Sequence, residues 1–246
     1  MTRTALITGA TSGFGEAAAR LFVADGWQVI GTGRRQERLD ALAGELGQSF
    51  RPVRLDMRDL PAVEAFSAET GALDLLVNNA GLASPMTPLQ DADWGPLTQV
   101  IETNISGLVQ LTRLLLPGLI ARKGAIINIS SVAASYPYRG GAVYGGSKAF
   151  VREFSLCLRA DLHGTGVRVT SIEPGMAETE FTLVRNGWDQ AASDNLYAGV
   201  DPMTAEDIAK AIHWVATLPP HLNINALELM PVNQDFAGFA VARPAG

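Results

Sequence analysis

The chain has 246 residues, a mass of 26.1 kDa, 47% hydrophobic residues and a formal net charge of −6. That size suits one compact α/β domain spanning 1–246. An acidic balance without a basic stripe argues against a nucleic-acid partner. Charged residues interrupt every apolar run short of the roughly 18 residues a membrane span needs, so no membrane association is expected.

The first element is a short apolar run at residues 3–8, of the kind a buried parallel strand needs. With a strand over residues 1–8, no signal peptide is expected, and a cytoplasmic location is expected. Next comes Thr8-Gly9-Ala10-Thr11-Ser12-Gly13-Phe14-Gly15, then a helical stretch over 16–24. Gly9 permits a tight turn, Gly13 lets backbone approach a pyrophosphate, and Gly15 lets the helix pack closely on the strand. The amides at the helix start, with the positive end of its dipole, suit phosphate. The predicted cofactor-binding residues here are Gly9, Thr11, Ser12, Gly13, Phe14 and Gly15.

A second strand over 27–32 ends in Gly33-Arg34-Arg35, with no acid to bond a ribose hydroxyl. Two guanidiniums at that place suit a phosphate monoester, so the expected cofactor is NADP rather than NAD. Further strands are predicted over 50–55, 73–77, 125–130, 167–172 and 222–229. Helices are predicted over 36–46, 59–69, 93–122, 143–163 and 204–217. This alternation predicts a Rossmann-type, doubly wound parallel sheet of α/β class with helices on both faces. Ligands bind beyond the carboxyl ends of such strands. The polar motifs fall there: Asp56, then Asn78-Asn79-Ala80-Gly81, Ser130-Ser131 and Pro174-Gly175.

Tyr144 and Lys148 stand one helical turn apart, with Ser131 thirteen residues upstream of the tyrosine. Residues at i and i+4 share a helix face. A nearby ammonium favours phenolate, so Lys148 is expected to lower the Tyr144 pKa and tune it for proton transfer with an alcohol or carbonyl. Cys157, the single cysteine, permits no internal disulfide and is expected to be a small core residue. Three His with no pair at ligand spacing give a metal site no support.

Taken together, these motifs resemble the short-chain dehydrogenase/reductase family over essentially the whole length. The matching residues are Thr8-Gly9-x-x-x-Gly13-x-Gly15, Asn78-Asn79-Ala80-Gly81, Asn104, Ser131, Tyr144-x-x-x-Lys148 and Pro174-Gly175. The stretches 32–39, 136–141, 161–164, 173–181 and 223–232 are similar to the branch holding NADP-dependent serine 3-dehydrogenases and 3-hydroxy acid (allo-threonine) dehydrogenases. The resemblance implies seven strands and a homotetramer or homodimer. It places Asp56 and Met57 beside the adenine, Asn78, Ala80 and Gly81 on the ribose side, and Pro174, Gly175 and Thr179 at the nicotinamide. It makes Ser131, Tyr144 and Lys148 catalytic, and has Asn104 hold a water that links Lys148 to solvent.

A small hydroxy acid or oxo acid substrate needs a cation for its carboxylate. Arg185, in a lid segment over about 176–203, is the first candidate, and Arg139 the second. Glu178 or Glu180 could meet an ammonium, Tyr136 and Tyr138 could line the pocket, and Trp188 with the Asn186-Gly187 turn suggests a moving lid. Two other readings stay open: a general carbonyl or 3-oxoacyl reductase, and a non-catalytic NADP-binding sensor. The last residues, 241–246, read as a loose tail or a segment that docks on a neighbour.

Overall fold

The computed structural model describes residues 2–236, so the expected tail at 241–246 lies outside the described residues. Seven parallel strands form one sheet: β1 (Thr4–Thr8), β2 (Gln28–Gly33), β3 (Phe50–Arg54), β4 (Leu75–Asn78), β5 (Ala125–Ile129), β6 (Arg168–Pro174) and β7 (Ala226–Leu229). Their order is β3-β2-β1-β4-β5-β6-β7, and every pairing is parallel. The order reverses between β1 and β4, which opens a crevice at the carboxyl ends of those strands.

Side-chain alternation explains the layers. Ala5, Ile7, Leu75, Val77, Ile127 and Ile129 face one core, while Leu6, Leu76 and Ile126 face the other. The first face is covered by α1 (Gly13–Ala24), α2 (Gln36–Leu46) and α9 (Ala205–Ala216), through Phe22, Leu39, Ile208 and Ile212. The second is covered by α3 (Leu60–Glu69), α5 (Leu108–Arg122) and α6 (Ala142–Asp161), through Phe66, Leu111, Leu115 and Leu158. Thr204 and Asp207 form a reciprocal capping box that starts α9. The predicted doubly wound sheet is what forms.

Three local differences stand out. The single helix expected over 93–122 is α4 (Trp94–Ile101), a π-helical turn at Glu102–Gly107, and then α5. A Cβ on Gly107 would lie 2.2 Å from the Met57 carbonyl oxygen, so glycine lets this turn press against the chain after β3. The 29-residue run Trp94–Arg122 is long and apolar enough to cross a membrane by composition, yet Leu108, Leu111, Leu115 and Leu119 pack into the core. Second, the segment after β6 holds two unforeseen short helices, α7 (Glu180–Arg185) and α8 (Gln190–Tyr197). Third, Cys157 is exposed on α6 and not in the core. Its thiol donates to Glu153 on the same outward face, and that carboxylate raises its pKa.

Candidate active site

A cleft of about 820 Å³ opens at the switch point, walled by the glycine turn, the ends of β4 to β6, and α7 with α8. The turn after β1 is tightly fixed. Gly9 and Gly13 adopt left-handed φ of 70° and 54°. Asn79 Nδ2 donates to the Thr8 and Gly9 carbonyls, and Thr8 Oγ1 accepts from the Asn79 and Ala80 amides at 3.0 Å each. A Cβ at Gly15 would sit 2.3 Å from Gly9 O. Gly15 is therefore buried as a packing residue and does not line the cleft; Gly9, Thr11, Ser12, Gly13 and Phe14 do. The side chain of Ser12 makes no cap, which leaves the first amides of α1 for a ligand. This cradle, with left-handed turns at Gly9 and Gly13 and uncapped amides at the start of α1, fits a dinucleotide pyrophosphate.

At the far end of the cleft lie three arginines. Arg34 is exposed and makes no hydrogen bond or ion pair among the described residues. Arg35 is committed to protein: Nε and Nη2 donate to Thr11, Nη2 donates to Ser12 Oγ at 2.8 Å, and Nη1 to Glu180 at 3.0 Å. Arg38, which the motif reading passed over, also binds Glu180, at 2.7 and 2.8 Å. Arg38 first, then Arg35, holds the Glu180 carboxyl below its ordinary range. Glu180 is therefore a partner of these arginines and not of a substrate ammonium, and Glu178 points to solvent. Asp56 lines the cleft with its carboxyl held low by Arg58 at 2.6 Å. Met57, Ala80 and Gly81 line it too.

Asn78 departs from expectation. Its side chain lies beneath the sheet, donating to Thr112 and Asn128 at 2.9 and 2.8 Å. The strand alternation that turns Asn79 toward the glycine turn points Asn78 into the core. Its side chain is a structural hub, bonded within the core and set back from the cleft. Asn104, on the π turn, clamps the next loop: Oδ1 accepts from the Leu82 amide, and Nδ2 donates to Leu82 O and Ser147 Oγ. Its amide thus ties the π turn to the loop after Gly81 and to Ser147 of α6.

The three catalytic candidates converge. Ser131 caps a short 3₁₀ turn and sits against Pro174 O, and its hydrogen bond pulls the Tyr144 hydroxyl pKa down. Burial outweighs this and pushes Tyr144 up to about 12, even with Arg185 nearby drawing it down. Lys148 is also buried. Its Nζ donates to Ile129 O at 2.8 Å and lies 5.8 Å from the Tyr144 ring, and burial holds it down to about 8. The expected lowering of Tyr144 by Lys148 is therefore not found: desolvation dominates both groups.

The helix α7 after β6 brings a cation to the cleft. Arg185 Nη2 donates to Tyr138 Oη at 2.8 Å, its Nε donates to Ser84 O, and its guanidinium lies 5.5 Å from the Tyr144 ring centre. Arg139 points to solvent outside the cleft, because Gly140, with φ 78°, turns the chain back onto Met86. Thr179 caps α7 above Gly13, and Phe181 packs on Tyr144. Gly187 and Trp188 both take left-handed φ between α7 and α8. Tyr136 lines the cleft and donates to Glu228. Among the described residues no cluster of His, Cys, Asp and Glu could hold a metal.

A family model described as short chain dehydrogenase matches residues 3–190. Serine 3-dehydrogenase of Agrobacterium fabrum is 62% identical, aligned over 99% of both chains. Sulfoacetaldehyde reductase 2 of Chromohalobacter salexigens is 54% identical over 97% of this chain and 98% of that one. An NADP-dependent 3-hydroxy acid dehydrogenase of Salmonella typhi is 52% identical with the same coverage. Among solved structures, the closed form of a serine dehydrogenase complexed with NADP+ superposes with a TM-score of 0.95 at 51% identity, over 98% of this chain and 99% of that one.

Proposed function

The chain belongs to the short-chain dehydrogenase/reductase family, and on that premise we propose an NADP-dependent oxidoreductase of small 3-hydroxy acids. It oxidises the 3-hydroxyl of serine, allo-threonine or a related acid, and in reverse reduces small 3-oxo acids or semialdehydes. The observation that carries this reading is Arg185: a cation held by Tyr138 beside the buried Tyr144 is where a carboxylate of a short substrate would anchor.

The residues divide the work by position. Gly9 to Phe14 and the α1 amides suit the pyrophosphate, Arg34 the 2′-phosphate, and Asp56, Met57, Ala80 and Gly81 the adenosine end. Pro174, Gly175 and Thr179 line the opposite end, where the nicotinamide belongs. When bound, the nicotinamide supplies the hydride acceptor or donor. Ser131 donates to the reacting oxygen and holds it against Tyr144 Oη. Tyr144 takes the hydroxyl proton in oxidation and returns one in reduction. The positive charge of Arg185 favours the phenolate that oxidation draws on and that reduction leaves.

We also place the protein in the cytoplasm as a homotetramer or homodimer. Exposed Trp94, Ile120, Phe150 and Leu156 on α4 to α6 support an interface there. The test of the function is a panel of initial rates with NADP and NAD across L-serine, D-serine, L-allo-threonine, 3-hydroxypropionate and a plain secondary alcohol. NADP-linked oxidation of the acids over the alcohol supports the reading. Rates that ignore the carboxylate move the protein to the general carbonyl reductases. Arg185 would also accept a sulfonate, so reduction of sulfoacetaldehyde in preference to malonic semialdehyde would move the substrate toward that of the C. salexigens relative.

A further inference from the structure

Glu180 has no place in the proton transfer, yet among the described residues it makes the ion pairs that join α7 to the arginines after β2. Its two carboxylate oxygens bind Arg38 at 2.7 and 2.8 Å and Arg35 at 3.0 Å. Glu180 is the first residue of α7, the helix that also carries Arg185, and it follows Thr179 above Gly13. Arg35 in turn grips Thr11 and Ser12 of the glycine turn. One side chain therefore ties the substrate lid, the phosphate turn and the start of α2 together.

The charges do not close. Arg34, Arg35 and Arg38 bring three positive charges and Glu180 one negative, while Asp56 is taken by Arg58. The three guanidiniums outnumber Glu180, and even with Glu37 also acting on Arg38 the cluster keeps a positive excess that suits a phosphate monoester, whose charge near neutral pH is about −1.5 to −2. Arg34 has all its donors free among the described residues, whereas Arg35 and Arg38 are already turned toward Glu180.

Resting on the NADP reading above, we infer that Glu180 is a latch that couples the cofactor's 2′-phosphate to lid closure. The phosphate, met directly by Arg34, offsets the excess charge that Arg35 and Arg38 hold and fixes both guanidiniums where Glu180 can grip them. Lid closure and 2′-phosphate binding then strengthen each other, as reciprocal coupling requires. NAD, without that phosphate, fills the same cleft but leaves the latch weaker. Glu180 is a positioning residue in this scheme: it places Arg185 without touching substrate.

The test is hydrogen exchange of residues 180–197 in the whole protein, saturated with NADP+ or with NAD+, for the wild type and Glu180→Gln, alongside the dissociation constant of each cofactor. The wild type should show about tenfold slower exchange with NADP+ than with NAD+, within the usual 5- to 150-fold range of coupling. Glu180→Gln should abolish that difference and lose a similar factor of its preference for NADP+. The latch is overturned if Glu180→Gln keeps NADP+-specific protection, if it binds NADP+ more tightly, or if both cofactors protect the wild-type lid alike. A wild type that binds the two cofactors equally would instead overturn the NADP reading itself.

Discussion

Arg185 donates from Nη2 to the Tyr138 hydroxyl at 2.8 Å, so a lid arginine is aimed by a tyrosine of the loop before α6. The Tyr138 ring is itself seated against Gly141, where an added Cβ would come within 2.6 Å of it. Removing the hydroxyl frees the guanidinium without removing its charge. Tyr138→Phe should raise KM for hydroxy acids roughly three- to tenfold, the worth of one hydrogen bond, with kcat nearly kept. A loss confined to kcat would place Tyr138 in the chemistry instead.

Tyr144 is the proton carrier of the account, and its environment sets a direction. Burial lifts its pKa to about 12, so the hydroxyl keeps its proton at neutral pH. That form serves reduction, whereas oxidation draws on the deprotonated fraction. Oxidation kcat/KM should therefore climb between about pH 7 and pH 10 while reduction does not. Tyr144→Phe should cut kcat by roughly 10²–10⁴ and leave NADP binding intact. Turnover that survives this substitution would remove Tyr144 from the mechanism.

Lys148 gives a stability signature. Its folded pKa is depressed to about 8 from 10.5, so between those values the unfolded chain binds the extra proton. Stability must then rise with pH across that window and carry a cost below about pH 8. Lys148→Met should be inactive but lack this rise, with its advantage over the wild type greatest near neutral pH. Calorimetry of both proteins at about pH 7.5 and 9.5 reads the difference. Parallel pH slopes would show that Lys148 is not desolvated in the folded state.

What the sequence disclosed was mostly local. The glycine turn, the Tyr144–Lys148 spacing and the alternation of strands and helices each depend on neighbours within a few turns, and all three form as expected. The π turn that carries Asn104 was hidden, because a helical pattern has no mark for one extra residue until Gly107 meets the Met57 carbonyl. Asn78 and Asn79 read alike as strand-end polar residues, and only the sheet shows that one faces the core. Cys157 sits in a helix whose buried face cannot be fixed from a single residue. The lid helices, six and eight residues long, are too short for periodicity to declare. The pairing of Glu180 with Arg38 joins residues 142 apart in sequence, and nothing in either neighbourhood announces it.

The central claim is that a carboxylate anchored on Arg185 makes this a hydroxy acid enzyme, and the most direct measurement is the selectivity of Arg185→Ala. We predict that its kcat/KM for NADP-linked oxidation of L-serine or L-allo-threonine falls roughly a hundredfold, the cost of losing a charged hydrogen-bond partner. Its kcat/KM for a plain secondary alcohol should change less than about threefold, since nothing in that substrate meets the guanidinium. An equal fall for both, or no fall for the acids, would contradict the account.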